Sequence, residues 1–399
     1  MLSRKAGVRH IELVEDTVQS SLMAALTAWS AEGLPEDPGA WLYRVAHNRL
    51  LGALRQDASR IRILDRAGSD GTVDAATPAV TYFDGEVKDD LLRMLFVCCS
   101  EAIPRDSQLV LALKTLCGFS TAEIALRLFT TQVNVNKRLS RARDRLREDP
   151  AELEAPPLAS LASRLSGVHD VLYLIFNEGY LSAHAEQAIR RELCDEAIRL
   201  TTLLAEHAVG ASPETFALLA LMHLHAARLA ARQDGAGGLL LLEEQDRKLW
   251  DAERIQLGME WLARAATGEA FSRYHAEAGI AAEHCLAPSF AETRWQEIVE
   301  LYAMLERLAP SPLHTLNKAV AVAEWQGPAA GLSVLQGLVP PSWLAGSYLW
   351  DAVSSDLNRR AGNRAIAGQH RERALDLAPT EPVRDLLKRR LPCADSRRG

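Results

Sequence analysis

Several kinds of sequence signal are missing from this chain of 399 residues, and each absence excludes a class of protein. The six cysteines stand at positions 98, 99, 117, 194, 285 and 393, and no two form a Cys-x-x-Cys pair. This spacing fits neither a zinc site nor a disulfide framework, so we expect buried, reduced thiols. The sequence predicts no metal site and no cofactor.

Targeting and catalytic signals are missing as well. The N-terminus lacks the apolar core of a signal peptide, and no stretch approaches the roughly 20 uninterrupted apolar residues of a membrane span. We therefore expect a cytoplasmic protein. The chain has no His-Glu-x-x-His pair, no Gly-rich phosphate loop and no nucleophile elbow, so we expect no catalytic residues and no enzyme.

The charge of the chain is unevenly distributed. The formal net charge is −7, yet the first 150 residues carry 20 basic and 20 acidic residues, so the whole excess lies beyond them. A C-terminal body of this sign would repel nucleic acid. Any DNA-binding charge is therefore local, and it is concentrated in Arg127–Arg147.

The stretch Ser107–Glu148 reads as three short helices joined by tight turns. Gly118-Phe119-Ser120 separates the first two patterns, and Phe129-Thr130-Thr131 separates the last two. The third pattern carries six cations opposed by Asp144: Lys137, Arg138, Arg141, Arg143, Arg145 and Arg147. A short helix, a turn and a basic helix are typical of a helix-turn-helix protein whose last helix enters the major groove.

The rest of the chain predicts helices and no strand. An amphipathic helix over 12–30 places Val14, Val18 and Leu22 on one apolar stripe, and a second helix runs from Gly39 to about Ser59. From residue 158 onward, breakers recur at intervals of roughly 15 to 25 residues, which favours a solenoid of helix pairs. A polar cluster within 243–251 is expected either to lock that solenoid or to contact the N-terminal regions.

These features resemble a bacterial sigma factor. The helix with Glu15-Asp16-x-x-Gln19, followed by PEDPGAWLYRVAHNRLLGALRQ (35–56), resembles region 2, and residues 89–148 resemble region 4. The segments VLYLIFNEGY (171–180) and LLLLEEQDRKLWD (239–251) resemble one branch of the extracytoplasmic-function (ECF) sigma factors, which carries a C-terminal tetratricopeptide-like domain. The resemblance covers essentially the whole chain.

The resemblance implies an all-α fold and four segments. These are a region 2 domain over 1–64 that is shortened at its N-terminus, a linker over 65–88, the region 4 helix-turn-helix over 89–150, and a tetratricopeptide-like domain over 158–395. The implied partners are core RNA polymerase and promoter DNA. We further expect the C-terminal domain to contact regions 2 and 4 or a regulatory protein.

The resemblance also implies roles for particular side chains. Polymerase contact is expected from Glu15, Asp16 and Gln19. Contact with the −10 element is expected from Asn48, Arg49 and Arg55, since Asn can bond an unstacked base and Arg can hold a strand. At the −35 element, Asn136, Lys137 and Arg141 are expected to read bases, and Arg138 and Arg143 to hold phosphates.

Two other classes of function stay open on the sequence. A helix-turn-helix regulator that never engages polymerase would need the basic helix but not Glu15, Asp16 and Gln19. A helical metal-dependent hydrolase would need ligands, for which His275, Glu277, His284 and Cys285 could be considered. His275 and Glu277 are two residues apart and point to different sides of a helix, so structural roles are favoured for this group.

Overall fold

A computed structural model describes residues 11–35, 37–39, 41–50, 53, 87, 89–148, 158–182 and 188–392. Within these ranges the elements are helices, and the pairing of extended backbone is limited to an isolated bridge between Gln233 and Leu239. The predicted all-α fold is confirmed. The predicted linker over 65–88 lies outside the described residues except at Val87.

The helices are numbered in chain order. Those of the first half are α1 (Ile11–Glu32), α2 (Asp90–Cys98), α3 (Arg105–Thr115), α4 (Thr121–Arg127), α5 (Gln132–Glu148), α6 (Leu158–Tyr180), α7 (Arg191–Glu206) and α8 (Pro213–Ala226). Those of the second half are α9 (Ala252–Ala265), α10 (Arg273–Leu286), α11 (Trp295–Leu308), α12 (Pro312–Gln326), α13 (Pro328–Leu335), α14 (Ser342–Ala345), α15 (Tyr348–Arg360), α16 (Arg364–Asp376) and α17 (Glu381–Arg390). Residues 41–50 are also helical.

The chain forms two compact units. One contains Met1–Leu111 and Arg138–Arg164, and the other contains Ala112–Lys137 and Leu165–Gly399. The turn-and-helix segment 112–137 thus belongs to the same unit as the C-terminal helices.

In the first unit, helix α1 buries part of the predicted stripe. Val14 packs against Leu50 of the helix over 41–50, and Ala25, which the same stripe contains, is buried as well. Val18 and Leu22, expected on that stripe, are 38% and 47% exposed, so that part of the prediction is wrong. Between Val14 and Ala25 the buried positions are instead Thr17 and Ser21, whose small side chains allow a close approach of the neighbouring helix.

In the second unit, successive helices pack against one another. Helix α8 packs against α9 and α10, and the sequence of contacts continues through α11, α12 and α13. Helix α8 is buried over almost its whole length, and apart from Thr215 and His223 its residues from Thr215 to Leu224 are apolar. The predicted pairing of helices after residue 158 agrees with this order, and the tetratricopeptide-like class stays a prediction.

The polar cluster after α8 locks the C-terminal helices together. Glu244 accepts hydrogen bonds from Arg389 of α17, with 3.2 Å between Oε1 and Nε. Asp251 caps α9 by accepting from the backbone N–H of Arg254 at 3.0 Å. Arg247 donates to the backbone oxygens of His284 and Ala287, both at 2.8 Å. These contacts tie the segment to α9, α10 and α17.

The cysteine prediction is confirmed at three positions. Cys98, Cys99 and Cys194 are buried, whereas Cys117 and Cys285 are partly exposed, and none of these five described cysteines is in a disulfide. Cys393 lies outside the described residues. Of the helices that the structure describes, none combines the length and the hydropathy that a bilayer span requires.

Close packing of α13 on α12 gives a first prediction. A Cβ atom on Gly331 would lie 2.6 Å from the oxygen of Ala319 and 2.7 Å from Cβ of Ala323. We expect Gly331→Ala to destabilise the protein by about 1–3 kcal/mol, because α13 must move away. Gly368 lies inside α16, where an added methyl group would meet nothing within 4 Å, so Gly368→Ala should stabilise by about 0.5–1 kcal/mol. Thermal unfolding followed by circular dichroism checks both, and equal midpoints would contradict the packing.

Candidate nucleic-acid interface

The turn before α4 is built by a glycine and a capping serine. Gly118 has a φ of 68°, which favours glycine, and the N–H of Phe119 donates to the oxygen of Leu113 at 3.2 Å. Ser120 then caps α4: its Oγ accepts from the N–H of Glu123 at 3.1 Å, and Glu123 accepts from the N–H of Ser120 at 2.7 Å. This reciprocal capping fixes where the seven-residue helix begins.

Helix α5 separates an apolar face from a polar one. Thr131 precedes it and accepts from the N–H of Asn134 at 3.3 Å. The buried residues recur at helical spacing: Val135, Leu139, Ala142 and Leu146. Asn136, Lys137 and Arg141 are exposed, as the base-reading prediction requires. The structure thus places these three side chains on the solvent side of the helix, which is called the reading face below.

The other cations of α5 are paired with carboxylates. Arg138 Nη2 lies 2.8 Å from Asp106 Oδ2, and Arg143 Nη2 lies 2.8 Å from Glu15 Oε2. Arg145 and Arg147 pair with neighbours on their own helix: Glu148 at 2.7 Å and Asp144 at 3.1 Å. Within the described part of the chain, Lys137 and Arg141 have no acidic partner, so they carry the exposed positive charge of the helix.

The predicted polymerase-binding residues also divide into exposed residues and a residue in an ion pair. Asp16 and Gln19 are exposed on α1, whereas Glu15 is partly buried in its ion pair with Arg143. That pair joins a residue predicted to bind polymerase to one predicted to hold DNA. Because surface ion pairs of this kind are weak, other partners can replace it.

The predicted −10 residues lie at the end of the helix over 41–50. Asn48 and Arg49 are exposed, and Arg49 Nη1 donates to the backbone oxygen of Ser20. Arg55 lies outside the described residues. Trp41 packs edge-on against Trp29, with ring centroids 5.5 Å apart, and so helps to hold this helix to α1.

Two residues at the start of α5 were missed by the sequence analysis. Gln132 and Val133 are exposed, and Val133 retains 62% of its accessible surface although it is apolar. In a helix-turn-helix, the first turn of the second helix contacts base edges, and an apolar side chain there can meet a thymine methyl group. The signal was their position directly after the capping Thr131.

Helix α4 is attached to the C-terminal helices by an ion pair. Arg127 Nε donates to Glu178 Oε2 at 2.8 Å, and Arg127 Nη2 donates to the backbone oxygen of Leu181 at 2.6 Å. Glu178 is 1% exposed, and its Oε1 accepts from Ser182 Oγ at 2.6 Å. Arg127 is therefore engaged by the protein itself, and it does not add to the free positive charge expected for Arg127–Arg147.

Aromatic contacts extend this attachment on both sides of α4. The guanidinium of Arg190 lies 5.5 Å from the ring centroid of Phe119, and its Nη1 lies 3.5 Å from Glu123 Oε1. The ring of Phe129 lies 4.9 Å from that of Trp343. Phe129 has a φ of 48°, a strained value for an aromatic residue, so the contact with Trp343 supports a turn that its own sequence disfavours.

Comparison with known proteins identifies these parts. Residues 93–146 match the family described as sigma-70, region 4, and residues 164–266 match a family of unknown function, DUF6596. The chain is 34% identical to the uncharacterized protein R00370 of Rhizobium meliloti (strain 1021) over 371 residues, which cover 93% of this chain and 87% of that protein. The chain belongs to the same family as that protein, and its residues 93–146 form a sigma-70 region 4. No solved structure matches it.

A sigma-70 region 4 implies two partners, promoter DNA and core RNA polymerase. The matched residues contain α4 and nearly all of α5, so the reading face with Asn136 and Lys137 lies within this region 4. His275, considered above as a ligand, instead holds the start of α10: the N–H of Ser272 donates to its Nδ1 at 3.0 Å.

The division of cations on α5 gives a second prediction. Arg141→Ala should weaken binding to a duplex selected from a random pool by the full-length protein, by about tenfold, because it removes an unpaired guanidinium from the reading face. Arg145→Ala is the matched control, since Arg145 is paired with Glu148 and should cost less than about threefold. Fluorescence anisotropy at fixed salt measures both, and equal losses would contradict the assigned face.

Proposed function

We propose that this chain is an ECF-type sigma factor, a non-catalytic initiation factor that directs core RNA polymerase to −35 and −10 promoter elements. The observation that carries the proposal is the first half of α5, where Asn136, Lys137 and Arg141 are exposed within region 4. Asn suits adenine, and Lys and Arg suit guanine, so this face can read a short sequence in the major groove.

The first unit supports the polymerase and −10 roles. Asp16 and Gln19 form an exposed polar edge on α1, and Asn48 is exposed at the end of the neighbouring helix. Glu15 and Arg143 neutralise each other when neither partner is bound. Polymerase on one side and a phosphate on the other would each take one member of this pair, so we expect it to open during assembly of the initiation complex.

The C-terminal helices are proposed to assist this activity by holding region 4. Their contacts use Arg127, Phe119 and Phe129, whereas Asn136 and Lys137 stay exposed. The C-terminal helices would thus hold α4 and the turns on either side of it in place, while the reading face of α5 stays accessible to DNA. We call this the platform role. It also supports a helix of seven residues, which is too short to be stable alone.

Association with core polymerase is the first test of this function. The full-length chain should co-elute with bacterial core enzyme and support transcription from its selected promoter. Asp16→Ala should weaken the complex about tenfold, whereas Glu101→Ala, an exposed acidic residue outside the predicted contact, should leave it unchanged.

Failure to bind core enzyme, together with sequence-specific binding to DNA, would replace this proposal by a helix-turn-helix regulator that does not engage polymerase. Equal loss in both variants would instead show that overall charge, and not the edge containing Asp16, drives the association.

The platform role gives a further prediction. Glu178→Gln removes the charge that holds Arg127 and should reduce both promoter affinity and transcription at least about fivefold, because α4 is released. Glu196→Gln is the matched control: Glu196 pairs with Arg199 at 2.7 Å on an exposed face of α7. Filter binding and run-off transcription measure the two effects.

The direction in which Glu178→Gln changes transcription shows whether the C-terminal helices assist or inhibit initiation. Increased transcription in Glu178→Gln would make the C-terminal helices inhibitory. An unchanged output, with the protein folded, would mean that the attachment of α4 has no part in initiation.

A further inference from the structure

The C-terminal helices line a half-open cavity that the proposed function does not use. Its volume is about 480 Å³, and its walls come from α6, α8, α10, α11, α12, α15 and α17 together with the segment around Gln245. Pockets that bind small molecules have volumes of roughly 300–1,000 Å³ and a few polar groups among apolar walls. The cavity therefore has the size for a metabolite.

Two arginines on one side of the cavity have no acidic partner in the described part of the chain. Arg228 is 7% exposed, and its Nε donates to Gln245 Oε1 at 3.4 Å, a long bond to a neutral group. Arg232 Nη1 donates to the backbone oxygen of Tyr180 at 2.7 Å, and its guanidinium lies 3.6 Å from the centroid of the Tyr180 ring. The contacts of these two largely buried charges are thus with neutral oxygens and aromatic faces.

Two largely buried guanidinium groups without a counter-charge destabilise the folded protein. Burying a cation without a counter-charge carries a large desolvation penalty, and cation–π contacts offset only part of it. Burial and the charge of Arg228 lower the pKa of the Arg232 guanidinium. An anion in the cavity would relieve both effects, because each guanidinium can donate two parallel hydrogen bonds to a carboxylate or a phosphate.

Two histidines, His225 and His284, also line the cavity, and the positive charge of the arginines contributes to lowering the pKa of each. Burial, and then Arg228 and Arg232, lower the pKa of His225 well below its ordinary value, and burial, Arg228 and Arg247 lower the pKa of His284 to about 3. Both rings are therefore neutral near pH 7. Nδ1 of each ring is buried, and neither has a hydrogen-bond partner among the described residues.

The lining of the cavity also includes an acid, Glu277 of α10. Tyr173 donates from its hydroxyl to Glu277 Oε2 at 2.7 Å, and burial raises the pKa of Glu277. Glu277 also lines the cavity, and it forms no ion pair within the described ranges. It can hydrogen-bond a hydroxyl or ammonium group of a ligand whose anionic group lies at the arginines.

We propose that this cavity binds a small organic anion, with its carboxylate or phosphate group held between Arg228 and Arg232. The site is linked to the helix-turn-helix through α6, since Tyr180, which bonds Arg232, is two residues from Glu178, which holds Arg127. An effect of the anion on promoter binding therefore rests on the proposed function, whereas binding itself does not.

Binding is tested on the full-length chain without polymerase or DNA. Inorganic phosphate, succinate and citrate are added at millimolar concentration with ionic strength held constant by chloride. At least one of them should raise the thermal midpoint by about 3 °C or more, and titration calorimetry should give saturable binding. The carboxylates and phosphate serve as separate arms, which distinguish the two kinds of anionic group.

The site is assigned by a pair of variants. Arg232→Gln should lose the thermal shift, whereas Arg199→Gln, which alters an exposed arginine in the same domain, should keep it. On the wild-type chain, the anion should protect Arg228 and Arg232, but not Arg199, from phenylglyoxal, as read by mass spectrometry. This second measurement holds even if Arg232→Gln does not fold.

Three outcomes would overturn the proposal. They are the absence of a shift with all three anions, an equal shift in both variants, and equal phenylglyoxal labelling of Arg228 with and without the anion. If binding is confirmed but core polymerase is not bound, the site stands and the sigma-factor function fails, so the two proposals are tested apart.

Discussion

The ion pair between Arg127 and Glu178 is the contact on which the helix-turn-helix depends. Glu178 is almost fully buried, and removing the partner of a buried charge costs about 3 kcal/mol or more. The pair therefore fixes α4, a helix too short to persist alone, against α6. Phe119 and Phe129 pack on either side of it, and α5 follows directly after the strained turn at Phe129. The reading face of α5 is thus set by residues far away in the sequence.

The cations of α5 fall into two groups. The arginines expected to hold phosphates have carboxylate partners, and the cations expected to read bases have none among the described residues. A phosphate that replaces Glu15 at Arg143 would release that carboxylate for polymerase, because the pair is partly exposed and weak. The C-terminal helices differ from α5 in this respect. Their Arg228 and Arg232 are largely buried, and neither has a carboxylate partner within the described ranges.

The sequence predicted what depends on local patterns. The turn at Gly118-Phe119-Ser120 and the basic helix that follows Thr131 are both encoded within a few residues. Contacts between distant residues could not be predicted from such patterns. Nothing in the sequence near Arg143 indicates that it pairs with Glu15, which is 128 residues away. The buried face of α1 was partly misassigned because Val18 and Leu22 are more apolar than Thr17, whereas close packing favours the smaller side chain.

Three consecutive residues at the end of α6 each make a different contact. Glu178 accepts a hydrogen bond from Arg127, and the ring of Tyr180 packs against the guanidinium of Arg232. Between them, Gly179 is closely packed, since a Cβ atom there would lie 2.7 Å from the oxygen of Arg190. The contact with the helix-turn-helix and the contact with the cavity are therefore two residues apart on one helix. Thermodynamic linkage then sets the consequence: if occupancy of the cavity changes the affinity for promoter DNA by some factor, promoter DNA must change the affinity for the occupant by the same factor.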